Sequence, residues 1–325
     1  MSLSPLISVA LCTYNGAEFL PQQLDSLLAQ DWDNLEIVAV DDGSTDGTRG
    51  ILQHYASRDS RISVHLNDRN LGFLLNFEKA FSLARGEFIA PCDQDDWWHP
   101  GKLRGLHAAI GNHAMAYCDS LLVDSNGRSL GRQVSDVLLM YEGQDPAAFV
   151  FGNCVSGHAM LARRTLVERA IPFPKAGFHD WWMAFVAAST EGLTYVPEPW
   201  VHYRQHAAAQ TNLSGQTNRP KKRKNRSRCM ELSRRRTWIA VLAAFPSPHQ
   251  PYFKALLEAW DEWTQSWFCP NLVSLLLVRR KSLYANNRRS YQRRTRRALR
   301  YFWGLKLKRL LLPWRYGSTV DETET

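Results

Sequence analysis

The chain has no paired cysteines. Its six thiols, Cys12, Cys92, Cys118, Cys154, Cys229 and Cys269, stand apart with no CxxC spacing, which argues against a zinc ribbon and a disulfide framework and fits free thiols in a reducing compartment. Long hydrophobic runs are also missing: nothing approaches the ~18 apolar residues of a spanning helix, and Met1-Ser-Leu-Ser-Pro5 has no basic leader region. A cytoplasmic protein without a membrane span is the expectation. Neither GxGxxG nor GxxxxGK followed by Ser or Thr occurs, so dinucleotide fingerprints and phosphate-cradling loops of that kind are excluded. Acidic residues are scarce in one region only. Residues 219–325 hold 7 Asp and Glu against 25 Lys and Arg, whereas residues 1–218 hold 24 against 15, so charges of +18 and −9 lie beneath the overall +9. A break of this size, just after the polar linker-like stretch 210–220, marks a domain border near 215 and predicts domains at 1–215 and 216–325.

What is present is a globular core, since 45% of 325 residues are hydrophobic. Residues 7–13, 35–40 and 62–66 read as strands, and each is followed by apolar side chains at helical spacing, as in Phe19, Leu20, Leu24, Leu27 and Phe73, Phe77, Ala80, Phe81. A fourth apolar run, Phe88-Ile89 between Gly86 and Pro91, stops on Asp93, Asp95 and Asp96. Strands alternating with amphipathic helices predict an α/β fold with a mostly parallel central sheet flanked by helices. Asp41-Asp42 and Asp93-Gln94-Asp95-Asp96 then fall at the carboxyl ends of strands, where open α/β sheets bind ligands. Carboxylates gathered there need a cation, and hard oxygen ligands suit Mg2+ or Mn2+, which completes its shell with water and phosphate oxygens. The plainer reading of the tetrad alone is a solvated turn capping the next helix.

Two later features bear on chemistry. Asp180, after the break at Pro172-Phe173-Pro174, sits where a carboxylate serves as an ordinary helix N-cap. The stretch from Trp200 to His206 alternates with period two, which puts His202, Arg204 and His206 on one strand face as a receptor for phosphate.

In order along the chain, Thr13-Tyr14-Asn15-Gly16, Asp41-Asp42-Gly43-Ser44-Thr45-Asp46, Asn70-Leu71-Gly72 with Asn76, Asp93-Gln94-Asp95-Asp96, Asp180 and Tyr203-Arg204-Gln205-His206 resemble a family-2 inverting glycosyltransferase of the GT-A fold, within it the bacterial rhamnosyltransferase branch. The likeness covers roughly residues 6–210. It implies a nucleotide-binding half and an acceptor half, with Tyr14 packed on the nucleobase, Asp42 on its imide edge, and Asp93 beside the ribose or metal. Thr13, Asn15, Asn70 and Arg204 would complete the nucleotide-sugar site, Asp95 and His206 would hold Mn2+ or Mg2+, and Asp180 would be the general base. His179-Asp180 departs from the Glu-Asp that the family often has there, and leaves open whether His179 modulates the base. The implied reaction moves a sugar, L-rhamnose from dTDP-L-rhamnose, onto a cell-surface glycan or lipid-linked acceptor such as lipopolysaccharide core or O-antigen. A UDP-hexose or UDP-N-acetylhexosamine donor is the alternative. A nucleotidyltransferase would use similar carboxylates and leave Asp180 without a task, and a basic non-enzymatic adaptor would leave the acidic strand ends incidental.

The remainder reads as a basic, helical extension. Ten Lys and Arg lie in 219–236 and ten more in 279–300, beside the aliphatic or aromatic runs 272–278 and 301–314. Helices of this composition lie in a membrane interface, each basic residue contributing ~1 kcal/mol near anionic lipid, so peripheral attachment to the inner face of the plasma membrane is expected. Nucleic acid is the rival partner, and the aliphatic runs with Trp favour lipid. Trp260, Trp263 and Trp267, at helical spacing with Leu256, read as packing residues.

Overall fold

A computed structural model describes residues 4–206, 226–286, 291–312 and 316. The chain divides into two compact units, one of Met1–Asp145 with Asn153–Gln216 and one of Pro146–Gly152 with Thr217–Thr325. The linker expected at 210–220 lies outside the described residues.

Unit 1 is built on one nine-stranded sheet. Its strands are β1 Ile7–Thr13, β2 Leu35–Asp41, β3 Ile62–Leu66, β4 Phe88–Cys92, β5 Trp97–Trp98, β6 Met115–Val123, β7 Ser129–Gln133, β8 Met160–Arg163 and β9 Leu193–Arg204. They run in the order β3-β2-β1-β4-β8-β6-β9-β5, with β7 on β6. β2 is buried at every position, as a near-continuous apolar strand covered on both faces should be. β1 through β4 are parallel, in a register that sets Thr13 opposite Asp41 and Leu11 opposite Cys92. The chain steps outward from β1 to β3 and then crosses back to β4, so the sheet's switch point lies between β1 and β4 and opens a crevice at their carboxyl ends.

Parallel pairing describes the nucleotide half. Beyond β4 the sheet is mixed: β8 is antiparallel to both β4 and β6, and β9 is parallel to β6. A hairpin turn, closed by Gly127 N–H donating to the Asp124 carbonyl at 3.0 Å, takes the place of a crossover helix between β6 and β7.

The helices of unit 1 are α1 Leu20–Leu28, α2 Thr48–Ala56, α3 Phe73–Leu83, α4 Lys102–Ile110, α5 Val134–Val137, α6 Arg164–Ala170 and α7 His179–Ser189. Leu20, Leu24 and Leu27 of α1 join Ile7, Val9 and Leu11 of β1 in the main core. From Trp182 to Ser189, α7 is buried on every side, as befits a helix that is apolar all round.

Unit 2 is helical: α8 Arg226–Ala244, α9 Gln250–Gln265, α10 Pro270–Val278, α11 Arg280–Leu283, α12 Tyr291–Leu299 and α13 Leu305–Leu311. It also takes in the short helical turn Pro146–Phe149, whose Phe149 carbonyl accepts from Trp238 Nε1 at 3.0 Å. Trp260 and Trp263 are core residues as the spacing suggests, but Trp267 is 42% exposed because α9 has ended two residues before it. The aliphatic run at 272–278 also differs from its lipid-facing reading. Leu272, Val273 and Leu276 are buried within the bundle, since α10 turns that side of the run onto its neighbours.

Emptying the centre of this bundle should be costly. Trp260→Ala is expected to destabilise unit 2 by about 3–5 kcal/mol, read as a lowered denaturant midpoint.

Candidate active site

The loops after β1 and β2 are fastened by carboxylates that do not face solvent. Asp41 accepts Thr13 Oγ1 at 3.1 Å, Ser44 N at 3.0 Å and Arg49 Nε at 2.9 Å. Asp42 is buried too; its Oδ1 accepts Asn67 Nδ2 at 2.8 Å and Leu71 N at 2.7 Å, and its Oδ2 accepts Gly72 N at 2.9 Å. The doublet thus ties β2 to its own turn and to the 70–72 loop. Gly43 permits this at φ +82°, where a Cβ would also stand 3.0 Å from the Asn70 backbone nitrogen.

Of the residues expected at the nucleotide, Tyr14 presents its ring openly at 47% exposure. The amide of Gln94 grips the Tyr14 backbone from both sides, accepting its N–H at 2.8 Å and donating to its carbonyl at 3.0 Å. That bond pair joins the β1 loop to the carboxylate turn. Asn15, at φ +48°, accepts Thr45 N at 2.8 Å, and exposed Asn70 accepts Gly72 N at 3.0 Å. Thr13, Asn15 and Asp42 therefore commit polar atoms to loop geometry, while Tyr14 and Asn70 remain accessible.

At the end of β4 the carboxylates go separate ways. Asp95 Oδ2 lies 2.8 Å from His206 Nε2, which follows the last strand. Arg204 is buried, and all three of its guanidinium nitrogens donate to protein: Nε to the Asp95 carbonyl at 2.8 Å, Nη1 to the Ser125 carbonyl at 2.8 Å and Nη2 to Gln22 Oε1 at 2.6 Å. Its backbone N–H donates to Asp96 Oδ1 at 2.9 Å. His202 instead stacks on Trp97 at 4.5 Å. The phosphate receptor read from the alternation is thus not assembled, because β9 ends at Arg204 and the three side chains take different partners.

Asp96 is fully buried, and its Oδ2 has no hydrogen-bond partner. That atom stands 3.2 Å from His158 Nδ1, which is also 3.8 Å from Asp93 Oδ2. Burial, reinforced by the charges of Asp95 and Asp93, raises Asp96 well above the usual carboxylate range. Beneath it, buried Lys102 donates to the His158 carbonyl at 2.6 Å, and burial lowers its pKa to about 7. Sequence reasoning passed over His158 and Lys102. One lies in a small-residue segment without periodicity, the other at the start of a helix where a lysine ordinarily faces water.

Two arrangements offer oxygen and nitrogen donors to a divalent cation. Asp93, Asp96 and His158 place ligand atoms within 4.8 Å of one another, but Asp96 and His158 are sealed from solvent, with side chains 0% and 3% exposed. Asp95 and His206 remain partly open. An ion that also takes water and substrate phosphate needs open coordination positions, so the donor set that fits is Asp95 with His206.

Asp180 belongs to the first turn of α7, and Phe178 occupies the N-cap without a side-chain bond, so the capping reading is not realised. Asp180 Oδ1 accepts Trp181 N at 2.6 Å. Burial raises its pKa to about 7 and the charge of Asp93 adds to this, against the lowering effect of backbone N–H groups. Next to it, His179 stacks on Phe77 at 4.1 Å and is lowered by burial to about 4, hence neutral, with neither ring nitrogen bonded among the described residues. A Cβ at Gly157 would meet His179 Nε2 at 2.8 Å, so glycine is what lets this imidazole sit there.

Residues 8–170, half of the chain, match the family model described as glycosyl transferase family 2. The chain is 30% identical over 220 residues to a putative glycosyltransferase, EpsH, of Bacillus subtilis, an alignment covering 63% of this chain and 62% of that relative's length. It is 39% identical over 124 residues to a putative colanic acid biosynthesis glycosyl transferase, WcaA, of Escherichia coli, covering 37% and 44%. Among solved structures, S. aureus TarS 1–349 in complex with UDP-GlcNAc superposes with a TM-score of 0.55 at 16% identity, covering 98% of each chain. At that identity the likeness concerns the fold, which is GT-A. Motifs, sheet order and family model agree: this chain belongs to glycosyl transferase family 2.

Proposed function

We propose that the protein transfers a sugar from a nucleoside diphosphate donor to a hydroxyl of a cell-surface glycan or glycolipid acceptor, with inversion at the anomeric carbon. The observation that carries this reading is the meeting of Asp95 and His206, 111 positions apart in the chain and 2.8 Å apart in space, at the crevice where a donor diphosphate would lie. These two side chains would hold Mn2+ or Mg2+, which when bound supplies Lewis-acid stabilisation of the departing diphosphate. Tyr14 offers a face to the base, and Asn70 and Asp93 offer polar groups to the ribose. Arg204 positions: it locks the backbone of Asp95 to the end of β9.

Asp180 is the base. It accepts the proton of the acceptor hydroxyl as that oxygen bonds to the anomeric carbon and the bond to the diphosphate breaks, so no enzyme nucleophile is needed. A pKa near 7 matches this task. Neutral His179 beside it adds no competing charge.

For the donor we favour dTDP-L-rhamnose, on the likeness of the motifs from Thr13 to His206 to the rhamnosyltransferase branch. A UDP-hexose or UDP-N-acetylhexosamine is the alternative, and UDP-GlcNAc is the nucleotide sugar bound by the TarS structure of the same fold. The WcaA likeness favours a polysaccharide acceptor. No helix of the described residues is long and apolar enough to cross a membrane. Attachment to an anionic inner membrane face is supported by unit 2, where exposed Phe268, Phe302 and Trp303 pack on one another at 5.2–5.9 Å. Lys306 lies 5.5 Å from the exposed Trp267 ring, a pairing of aromatic and base suited to headgroups.

Four outcomes are expected. Asp95→Ala should remove Mn2+-dependent stabilisation by dTDP-L-rhamnose in a thermal-shift panel of nucleotide sugars while leaving the unliganded melting temperature in place; unchanged donor response would take Asp95 out of the metal site. Asp180→Asn should keep donor and metal binding and lose transfer by about 10²–10⁴-fold. Because the ionised form is the base, wild-type kcat/KM should fall as pH drops through about 7, and a flat profile there would refute the assignment. Finally, Phe268→Ser with Phe302→Ser should weaken co-sedimentation with anionic vesicles, and salt should weaken the wild type; selective, salt-sensitive binding to duplex DNA would favour the rival partner.

A further inference from the structure

Unit 2 contains a second hollow, formed from its own residues. Arg293, Arg296, Arg297 and Arg300 line one cavity, at the i, i+3, i+4, i+7 spacing of a single helix face along α12 and the turn after it. α12 has no acidic residue, and like charges at these spacings oppose helix formation. Among the described residues, the side chains of Arg293, Arg296 and Arg300 have no hydrogen-bond or ion-pair partner, and Arg297 lies 5.3 Å from the Tyr284 ring.

Arg297 and Arg300 also border an adjoining cavity of ≈ 550 Å³, within the range of small-molecule sites. Its walls include Trp263, Tyr301 and Trp303. Lys308 enters it, 4.9 Å from the Trp263 ring and 5.6 Å from that of Tyr301. The one carboxylate there, Glu231, is paired with Arg235, so it does not neutralise Arg297 or Arg300. A solvated basic helix face is the plain alternative. It does not account for Arg297 and Arg300 lining an aromatic-walled cavity as well as the arginine one.

We propose that this hollow binds a sugar phosphate. Guanidinium forks match phosphate oxygens two at a time, and Arg297 and Arg300 line both cavities. Trp303, 48% exposed, offers a flat apolar ring with a polar tip, the form that lies against the C–H side of a pyranose while its hydroxyls meet polar atoms at the rim. A bare phospholipid headgroup shares the phosphate and lacks the ring. If unit 1 is the transferase proposed above, on which this step rests, the ligand is the phosphate-bearing part of the acceptor.

The full-length protein, titrated without donor or metal, tests this by tryptophan fluorescence and calorimetry. Glucose 1-phosphate should bind at least about tenfold more tightly than either inorganic phosphate or maltose and should change the fluorescence, and Arg297→Gln with Arg300→Gln should weaken it by about tenfold or more. Trp303→Leu, which keeps the charges, should remove the preference over inorganic phosphate. Equal binding of inorganic phosphate, or unchanged binding by the arginine variant, would overturn the proposal. So would binding confined to phosphatidylglycerol vesicles or to an oligonucleotide, which would reassign the hollow to lipid or nucleic acid. Stabilisation by nucleotide sugar with Mn2+ should be the same in wild type and variants; its absence from the wild type would count against the transferase reading and leave the pocket result standing.

Discussion

Five carboxylates, Asp41, Asp42, Asp93, Asp95 and Asp96, sit at the carboxyl ends of β2 and β4, the parallel strands on either side of β1, and keeping them there is the constraint on which the rest of unit 1 depends. Charges withdrawn from water need donors or counter-charges. Each is supplied from a different part of the chain: Arg49 for Asp41, the amides of 71–72 for Asp42, His158 for Asp93, His206 for Asp95, and the backbone of Arg204 for Asp96. The crevice is therefore also the place where the two halves of the sheet are fastened together. Arg204 shows the coupling most directly, since one side chain reaches the β4 turn, the 124–127 hairpin and α1.

Environment then separates groups that the sequence writes with the same letter. Burial would raise Asp93, but His158 holds it below the ordinary value, whereas Asp96 goes well above that value and Asp180 rises to about 7. Carboxylates whose pKa values are pushed apart can take different roles in one site. An open Asp95 beside an imidazole suits a cation shared with substrate, a sealed Asp96 suits structure, and Asp180 near neutrality suits proton transfer. The reserve of positive charge is correspondingly buried: Lys102 is lowered by burial to about 7 and adds less fixed charge than a lysine in water.

Unit 2 has the opposite electrostatic character. Its core is aromatic and aliphatic, and residues 219–325 hold 25 Lys and Arg against 7 Asp and Glu, so carboxylates are too few to pair with every base. Exposed rings at 268, 302 and 303, packed on one another, add apolar surface to this basic unit.

The sequence by itself determined the strands of the nucleotide half, their helices, the placing of acidic clusters at strand ends and the basic character of the C-terminal region. These follow from local periodicity and composition, which depend on a few neighbouring residues. The resemblance named Asp95 and His206 as expected metal ligands, and their 2.8 Å contact came from the tertiary structure. Tertiary structure alone decided that Arg204 faces inward with its nitrogens bonded to protein, that Trp267 is outside while Leu272 and Leu276 are inside, and that Asp180 is not a cap. It also placed His158 and Lys102 under the carboxylate turn. Those outcomes depend on where an element ends and on what stands across from it many residues away. A desolvated charge finds its partner through space, and period-two or period-3.6 patterns carry no record of that distance.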